Sequence, residues 1–595
     1  MRILAALLLV VPLLFACGAT YLAEPAPLSA TATPLAAGMY QNPINIAVSG
    51  GKQMESCPDP SILRSQTPGD NAWYIYCTEE MFTDHAPLHL MAMARSEDLV
   101  HWNYVGDVFK QLPPGVASDG LLWAPDIEYF NGQYFLYYVA SNTPRGGTAI
   151  FVATSTSPAG PWTPQPDPVV EPEPADCCGG QPRWTIDPAI VEENGTRYMI
   201  YGSFYGGISA RELSPDGLHT SRASEVAIAP PYRYEAAYVV KHDGYFYLML
   251  SAGDCCSGDL SGYGVFALRS QRALGPYTDR DGHMLLEPRV GGTPVLLQNG
   301  NRWVGPGHNA TFTDANGQDW MIYHAIDVNK PTFAGSWTRR PVMMDRIDWV
   351  DGWPTVRGGA GPSDGPEPAP AATSKSSLSN TVATTSPGDR AGAAIPNASD
   401  DFSSPRLSSQ WKWIRNISPT SWQVGNGGLR FDTQAGDIYQ GQHDAALLTE
   451  AAPSGNYIVE TRLSMNVPLY GEHNYAQGGV MIYKDDGNYV KLVVDSIGPT
   501  RQIEFAKQTT ASGSPKYGKT YLGAPSDSTW LRIVRRVVNG QELYTAYSSQ
   551  DGQNWTRGGT WKHSLGGNTR IALVSMAGAG FSSQFSYVHV STLAN

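Results

Sequence analysis

Charge is what this chain has least of. Only 16% of its 595 residues are charged, the net charge is −13, and its Lys and Arg are scattered along the sequence. With no basic cluster there is no electrostatic footprint for nucleic acid or for an anionic membrane surface. The N-terminal apolar run, Ile3 to Phe15, is shorter than the roughly 18 residues a transmembrane helix requires. Aromatic residues are missing altogether from 359–398, where Pro, Ala, Ser, Thr and Gly dominate. Such a stretch cannot build a core and is expected to be a flexible linker. Beyond it, from Asp400, no helical stretch can be read.

What the chain has is aromatic residues: 11% of the total, with 16 Trp and 31 Tyr. That suits an all-β protein with stacking surfaces. Carbohydrate binding is one use of such surfaces, ordinary sheet packing another. Five stretches repeat one theme: Asn71 to Thr78, Asn131 to Tyr138, Asn194 to Tyr201, Asp243 to Leu250 and Asn316 to Tyr323. Four run from Asn-Gly or Asp-Gly into an aromatic, β-branched strand, and the first has Asn-Ala; this is a hairpin signature. Each is preceded by a tight segment containing a polar residue: Cys57-Pro58-Asp59-Pro60, Trp123-Ala124-Pro125-Asp126, Ile186-Asp187-Pro188, Tyr234-Glu235-Ala236 and Gly307-His308-Asn309. With the strand and turn that follow several hairpins, each unit has about four strands, the makeup of a propeller blade. A five-bladed β-propeller is expected over 39–358. Its innermost strands would bring Asp59, Asp126, Asp187, Glu235 and His308 to one axis.

The N-terminus reads as a secretory signal, 1–17. Leu14-Phe15-Ala16-Cys17 resembles a bacterial lipoprotein box, with Cys17 the lipidated mature N-terminus and 18–38 a spacer. A plain secreted protein is the alternative, and both imply export. Six further cysteines, Cys57, Cys77, Cys177, Cys178, Cys255 and Cys256, suit an oxidising compartment. Cys57 and Cys77 can staple the first unit. The two Cys-Cys pairs can form vicinal bridges or cross-link two loops. Zinc is disfavoured, because adjacent cysteines are poorly spaced as chelating ligands.

Three carboxylates in different surroundings can hydrolyse a glycoside. One stays ionised and activates water, while another stays protonated and donates to the leaving oxygen. In inverting enzymes the two stand roughly 6.5–9.5 Å apart. A third carboxylate nearby raises the pKa of the acid. Position alone assigns no roles among Asp59, Asp126, Asp187 and Glu235. A single Asp-Pro is a turn or strand-start device; a set recurring at the same place in successive repeats points to function.

The motifs CPDPSI, WAPDI, TIDPAIV, YEAAYVV and GPGHNATF, in that order, with GSFYGGI at Gly202 to Ile208, resemble glycoside hydrolase family 43, the five-bladed arabinanases and α-L-arabinofuranosidases. The resemblance implies inverting hydrolysis, with Asp59 as general base, Glu235 as general acid and Asp187 raising and orienting the acid. It gives Asp126 no catalytic role. It also implies that Trp123, Trp184, Ser203, Phe204 and Tyr205 line sugar subsites, and that His308 lies near a central calcium. Calcium prefers oxygen ligands, so a histidine beside it would act through ordered water. The chain departs from the arabinanase pattern at Cys57-Pro58, at Ala236-Ala237 and at Tyr205, which leaves the exact sugar and the endo or exo mode open.

The last region, 399–595, resembles concanavalin-like jelly-roll modules through DDFSSPRLSSQWKW, GGVMIYKDDGNYVKL and YSSQDGQNW. A β-sandwich is expected there, and the long linker favours a tethered, independently glycan-binding module over a packed one. Together these readings predict an exported hydrolase of α-arabinofuranosyl linkages in arabinan-type polysaccharide, similar to arabinan endo-1,5-α-L-arabinosidase, with no organic cofactor. Its partner is the polysaccharide; membrane association would come only through a lipid on Cys17. The alternatives are an exo-acting arabinofuranosidase, a β-xylosidase or galactofuranosidase on the same scaffold, and a non-catalytic glycan-binding surface lipoprotein.

Overall fold

Five strand-rich runs of the sequence become five blades in the computed structural model, which describes residues 35–173, 176–178 (backbone only), 180–334, 337–373, 388–425 and 427–594. The expected signal and the Cys17 lipobox lie outside the described residues. The innermost strands of the blades are Ser61–Arg64, Leu122–Phe130, Ala189–Glu193, Tyr234–His242 and Trp303–Thr313, each at one edge of its sheet and antiparallel to the strand that follows it. Three repeats turn through two residues with positive φ, Asn131-Gly132, Asn194-Gly195 and Asp243-Gly244, as a type I′ hairpin demands. The first and fifth hairpins have longer loops, between Arg64 and Trp73 and between Thr313 and Asp319.

The second strands of the repeats are apolar at nearly every position because both of their faces are buried. Alternate side chains enter different cores. In blade two, Leu136 and Tyr138 pack with Tyr74, Tyr76 and Met93 of blade one. Tyr137 and Val139 pack with Met199 and Tyr201 of blade three. The same happens between blades three and four, four and five, and five and one.

The ring is closed by the segment before blade one. Met39–Gln41 pairs with Pro366–Pro368, and the Tyr40 hydroxyl and Asn42 amide donate to the Met344 carbonyl of blade five at 2.7 and 2.9 Å. A few residues on, Ile46–Val48 joins the outer edge of blade one, parallel to Trp102–Asp107.

The stretch expected to be a flexible linker is ordered at both ends. Ser363 and Ala371 are buried, and the Trp73 indole donates to the Ala372 carbonyl at 3.2 Å. Ala391–Ala394 pairs with the last strand, Ser582–Leu593. Composition cannot show this, because small residues that build no core of their own can still lie along one. Residues 374–387 lie outside the described residues.

The C-terminal region is a sandwich of an eight-stranded and a seven-stranded sheet. Leu531, Ile533 and Phe585 of one meet Val480, Leu492 and Phe505 of the other. It is packed on the propeller, which corrects the tethered-module expectation. Arg233, 2% exposed, donates to the Leu522 carbonyl at 2.8 Å and to Gln502 at 3.2 Å, and stacks on Tyr521. Backbone bonds join Val290 to Arg501 and Thr560 to Gln298 at 3.1 and 2.9 Å. Approach is so close that a Cβ at Gly262 would sit 1.8 Å from the Lys519 carbonyl oxygen.

Candidate active site

Each blade begins with one residue in the left-handed region: Asp59, Ala124, Asp187, Ala236 and His308, with φ between 45° and 56°. None is glycine, and such a conformation in a non-glycine residue is uncommon. Its recurrence in five blades marks a frame that holds it. In four blades the N–H of this residue is captured by a side chain of the preceding blade. Ala124 donates to Thr78 Oγ1 (2.7 Å), Ala236 to Asp187 Oδ2 (2.9 Å), His308 to Ser251 Oγ (3.0 Å) and Asp59 to His324 Nδ1 (3.2 Å).

This register corrects the expected convergence. The counterpart of Asp59 and Asp187 in blade two is Ala124, not Asp126. Asp126 lies two residues on, where its Oδ2 accepts the Ile190 N–H at 3.1 Å; in blade one, Ser61 accepts the Ile127 N–H at the same distance. Asp126 is thus a blade-to-blade clamp, and burial raises its pKa to about 7. Glu235 precedes the left-handed position of blade four by one residue.

The three expected carboxylates meet contrasting surroundings. Asp59 is 7% exposed. Its Oδ1 takes a hydrogen bond from Arg340 at 2.9 Å and has His308 and His324 Nδ1 each at 3.2 Å. Its Oδ2 accepts from the Thr78 hydroxyl at 2.7 Å. Burial opposes ionisation, but Arg340 first and then His308 outweigh it and hold the Asp59 carboxyl well below the usual range. His324 is neutral, burial pushing it down to about 4, and burial lowers His308 as well. Asp187, also 7% exposed, is raised well above the ordinary value by burial and then by Glu235 and Asp59. Glu235 is half-buried. Burial raises it against hydrogen bonds from Tyr263 (2.8 Å) and Ser203 (2.9 Å), which favour its charged form. One carboxylate is therefore kept ionised beside two that are pushed toward protonation, a pairing able to serve as base and acid.

Trp184, 38% exposed, sets its ring edge-on to Tyr205 at 5.3 Å, and Tyr205 to Phe204 at 5.2 Å. Ser203 is buried and turned to Glu235. Trp123 is half-buried against the core between blades two and three.

A family profile described as Glycosyl hydrolases family 43 matches residues 53–354. The chain belongs to glycosyl hydrolase family 43. As a member of that family it is a glycoside hydrolase. A second profile, Beta xylosidase C-terminal Concanavalin A-like domain, matches residues 399–571. The extracellular exo-α-(1→5)-L-arabinofuranosidase ArbA of Cellvibrio japonicus is 30% identical over 336 residues, 52% of this chain and 88% of that protein. The extracellular endo-α-(1→5)-L-arabinanase 1 of Bacillus subtilis is 27% identical over 317 residues, 51% of this chain and 89% of that protein. The solved structure of the GH43 protein BlXynB from Bacillus licheniformis covers 93% of this chain and all of its own, at 21% identity and a TM-score of 0.41.

Four residues of this family 43 site went unread in the sequence as parts of it: Thr78, Tyr263, His324 and Arg340. A signal existed for two of them. Thr78 and His324, like Ser251, are polar residues on or just past the second strand of their repeats, each facing the next blade after a run of apolar residues. Tyr263 and Arg340 sit in no repeated motif, so nothing local marks them. Of the expected disulfides, Cys57–Cys77 staples the entry to blade one, and Cys255–Cys256 is a vicinal bridge. The Cys177 and Cys178 side chains lie outside the described residues.

Among the described residues no group of three or more His, Cys, Asp or Glu could hold a metal. The Asp59 oxygens are engaged, and the buried atoms without a partner nearby are a ring nitrogen, His324 Nε2, and single oxygens of Asn309 and Thr185. These side chains do not by themselves fit calcium, an ion that takes six to eight oxygens; water would have to supply most of its shell.

Proposed function

We propose that the protein is an exported, inverting hydrolase of α-arabinofuranosyl linkages in arabinan-type polysaccharide. The observation that carries the mechanism is the split among the axis carboxylates: Asp59 held charged by Arg340, Asp187 and Glu235 pushed up by burial. In this reading Asp59 takes a proton from the attacking water. Glu235 gives its proton to the departing glycosidic oxygen, and Asp187, whose carboxyl and that of Glu235 oppose each other's ionisation, holds the Ala236 N–H at the strand bulge that follows Glu235. The substrate class is supported by the names of both relatives, and export by the word extracellular in each. Lipidation at Cys17 is part of the proposal. So is a water-shelled calcium near His308, which would add fixed positive charge; because Arg340 already supplies such charge, dialysis against EGTA should leave activity on arabinan largely intact, and complete, calcium-reversible loss would give the ion a larger role.

The deciding experiment is product analysis on linear and branched arabinan, with xylan and galactan alongside. A ladder of oligosaccharides from linear arabinan supports endo cleavage, and arabinose alone supports exo cleavage. Release only from xylan or galactan overturns the substrate assignment. Retained binding with no release would favour a glycan-binding protein. Proton NMR of the first-formed product anomer tests inversion.

A further inference from the structure

Aromatic residues flank the axis carboxylates in sequence: Trp184 three residues before Asp187, Phe204 and Tyr205 just after Ser203, Tyr232 three residues before Glu235. In space they form a series. Trp184 meets Tyr205 at 5.3 Å, Tyr205 meets Phe204 at 5.2 Å, and Phe204 meets Tyr232 at 5.4 Å. At Tyr232 the series reaches the sandwich. The Tyr232 N–H donates to the Phe204 carbonyl at 2.7 Å, while its own carbonyl accepts from Gln502 of the sandwich at 2.8 Å. A Cβ at Gly498 would lie 2.6 Å from the Tyr232 ring and 3.2 Å from a Glu472 carboxylate oxygen, so all three meet at that glycine. Burial first, then Glu472, Tyr205 and Tyr475, raise the Tyr232 phenol.

The sandwich loop between Met465 and Gln477 is unusual for what it exposes. Tyr475 is 58% and Tyr470 73% exposed, and large exposed aromatics beside a binding cleft mark recognition surfaces. The loop is also held in shape. The N–H groups of His473 and Tyr475 donate to the Gly498 and Ser496 carbonyls at 3.0 and 2.6 Å, and Asn474 accepts from the Gly498 N–H at 2.8 Å. Tyr232 and Tyr475 both have positive φ, 67° and 66°. For bulky side chains this is a costly conformation that persists where surrounding structure enforces it, and such residues cluster at ligand sites.

We propose that the β-sandwich supplies the outer part of the polysaccharide-binding surface, Tyr475 with Glu472 extending the Trp184–Tyr205–Phe204–Tyr232 series so that a furanosyl chain held at the axis continues onto the second domain. Tyr475 offers a ring face to a sugar, and Glu472 accepts hydrogen bonds from its hydroxyls. The sandwich is then a length sensor, without effect on a substrate too short to reach it. This rests on the reading of the protein as a polysaccharide hydrolase.

The test compares Tyr475→Ala, Tyr475→Phe and Glu472→Gln with the wild type on linear arabinan and on p-nitrophenyl α-L-arabinofuranoside. Loss of one stacking ring should raise KM for the polymer about three- to tenfold with kcat unchanged. The short substrate should be unaffected, and Tyr475→Phe should behave as wild type. Equal losses on both substrates, or no loss on the polymer, would overturn the proposal. Affinity electrophoresis in gels containing arabinan, xylan or galactan reads the same contrast without turnover, and so separates this inference from the choice of sugar. Weaker retardation of Tyr475→Ala in any of the three supports it. Equal retardation of the variant, or none of the wild type in any gel, counts against it.

Discussion

Arg340→Met should move the acidic limb of the pH–rate profile upward. Arg340 Nη1 stands 2.9 Å from Asp59 Oδ1 and is the strongest of the groups that depress this carboxyl against burial. Two unit charges about 4 Å apart interact by ~4 kcal/mol at an effective dielectric of 20. At 1.36 kcal/mol per pKa unit that sets a ceiling of about three units. A charged hydrogen bond is worth a net ~1.5–3 kcal/mol, or about one to two units, and His308 and Thr78 remain. The wild-type limb should lie below the ordinary 3.8, and the variant's about one to three units higher. The assay is kcat/KM against pH on a soluble arabinoside, which reports the free enzyme's base; Arg340→Lys should restore part of the shift. A limb that stays in place would refute Asp59 as the base or Arg340 as the group that keeps it charged. The same substitution has a stability signature. A depressed carboxyl contributes stability above its unfolded pKa that is lost as pH falls through the folded value. The deficit of Arg340→Met in thermal unfolding should therefore be full at neutral pH and fade in acid.

Other consequences concern the acid and the domain seam. Asp187 and Glu235 oppose each other's ionisation, Asp187 itself being pushed up by burial and then by Glu235; Asp187→Asn leaves Glu235 to titrate without that partner, so the basic limb should fall, and an unmoved limb would sink the modulator role. Tyr263→Phe acts in the opposite sense, because its hydroxyl stabilises the charged form of Glu235 from 2.8 Å; the basic limb should rise by up to about one unit, and a fall would contradict the geometry. Arg233→Met strips the buried seam of its bonds to Leu522 and Gln502, and calorimetry should show a loss of about 2–4 kcal/mol; an unchanged melting temperature would show the seam to be energetically idle.

Much of the fold was legible because its signals are local. The Asn131-Gly132, Asn194-Gly195 and Asp243-Gly244 turns require positive φ at both residues, and the sequence chooses residues that tolerate it. Apolar runs such as Tyr134 to Tyr138 announce strands buried on both faces. The site was legible less evenly. Asp59 and Asp187 share one structural position, while Asp126, with the same Asp letter and a proline beside it, sits two residues further on. Its proline precedes the aspartate in Ala124-Pro125-Asp126, where it follows the aspartate in Asp59-Pro60 and Asp187-Pro188; the order of the two residues was the available clue to register.

The sequence by itself determined the number of repeats, the strands and turns within them, the sandwich that follows, and the carboxylates at the blade openings. These depend on residues near one another along the chain. Only the tertiary structure decided which of those carboxylates is charged. Arg340 lies 281 positions from Asp59, and Tyr263 lies 28 from Glu235; their hydrogen bonds arise from ring closure and blade-to-blade packing. It also decided that the sandwich docks, since the match of Gly262 to the Lys519 backbone is a property of two surfaces that no local pattern encodes.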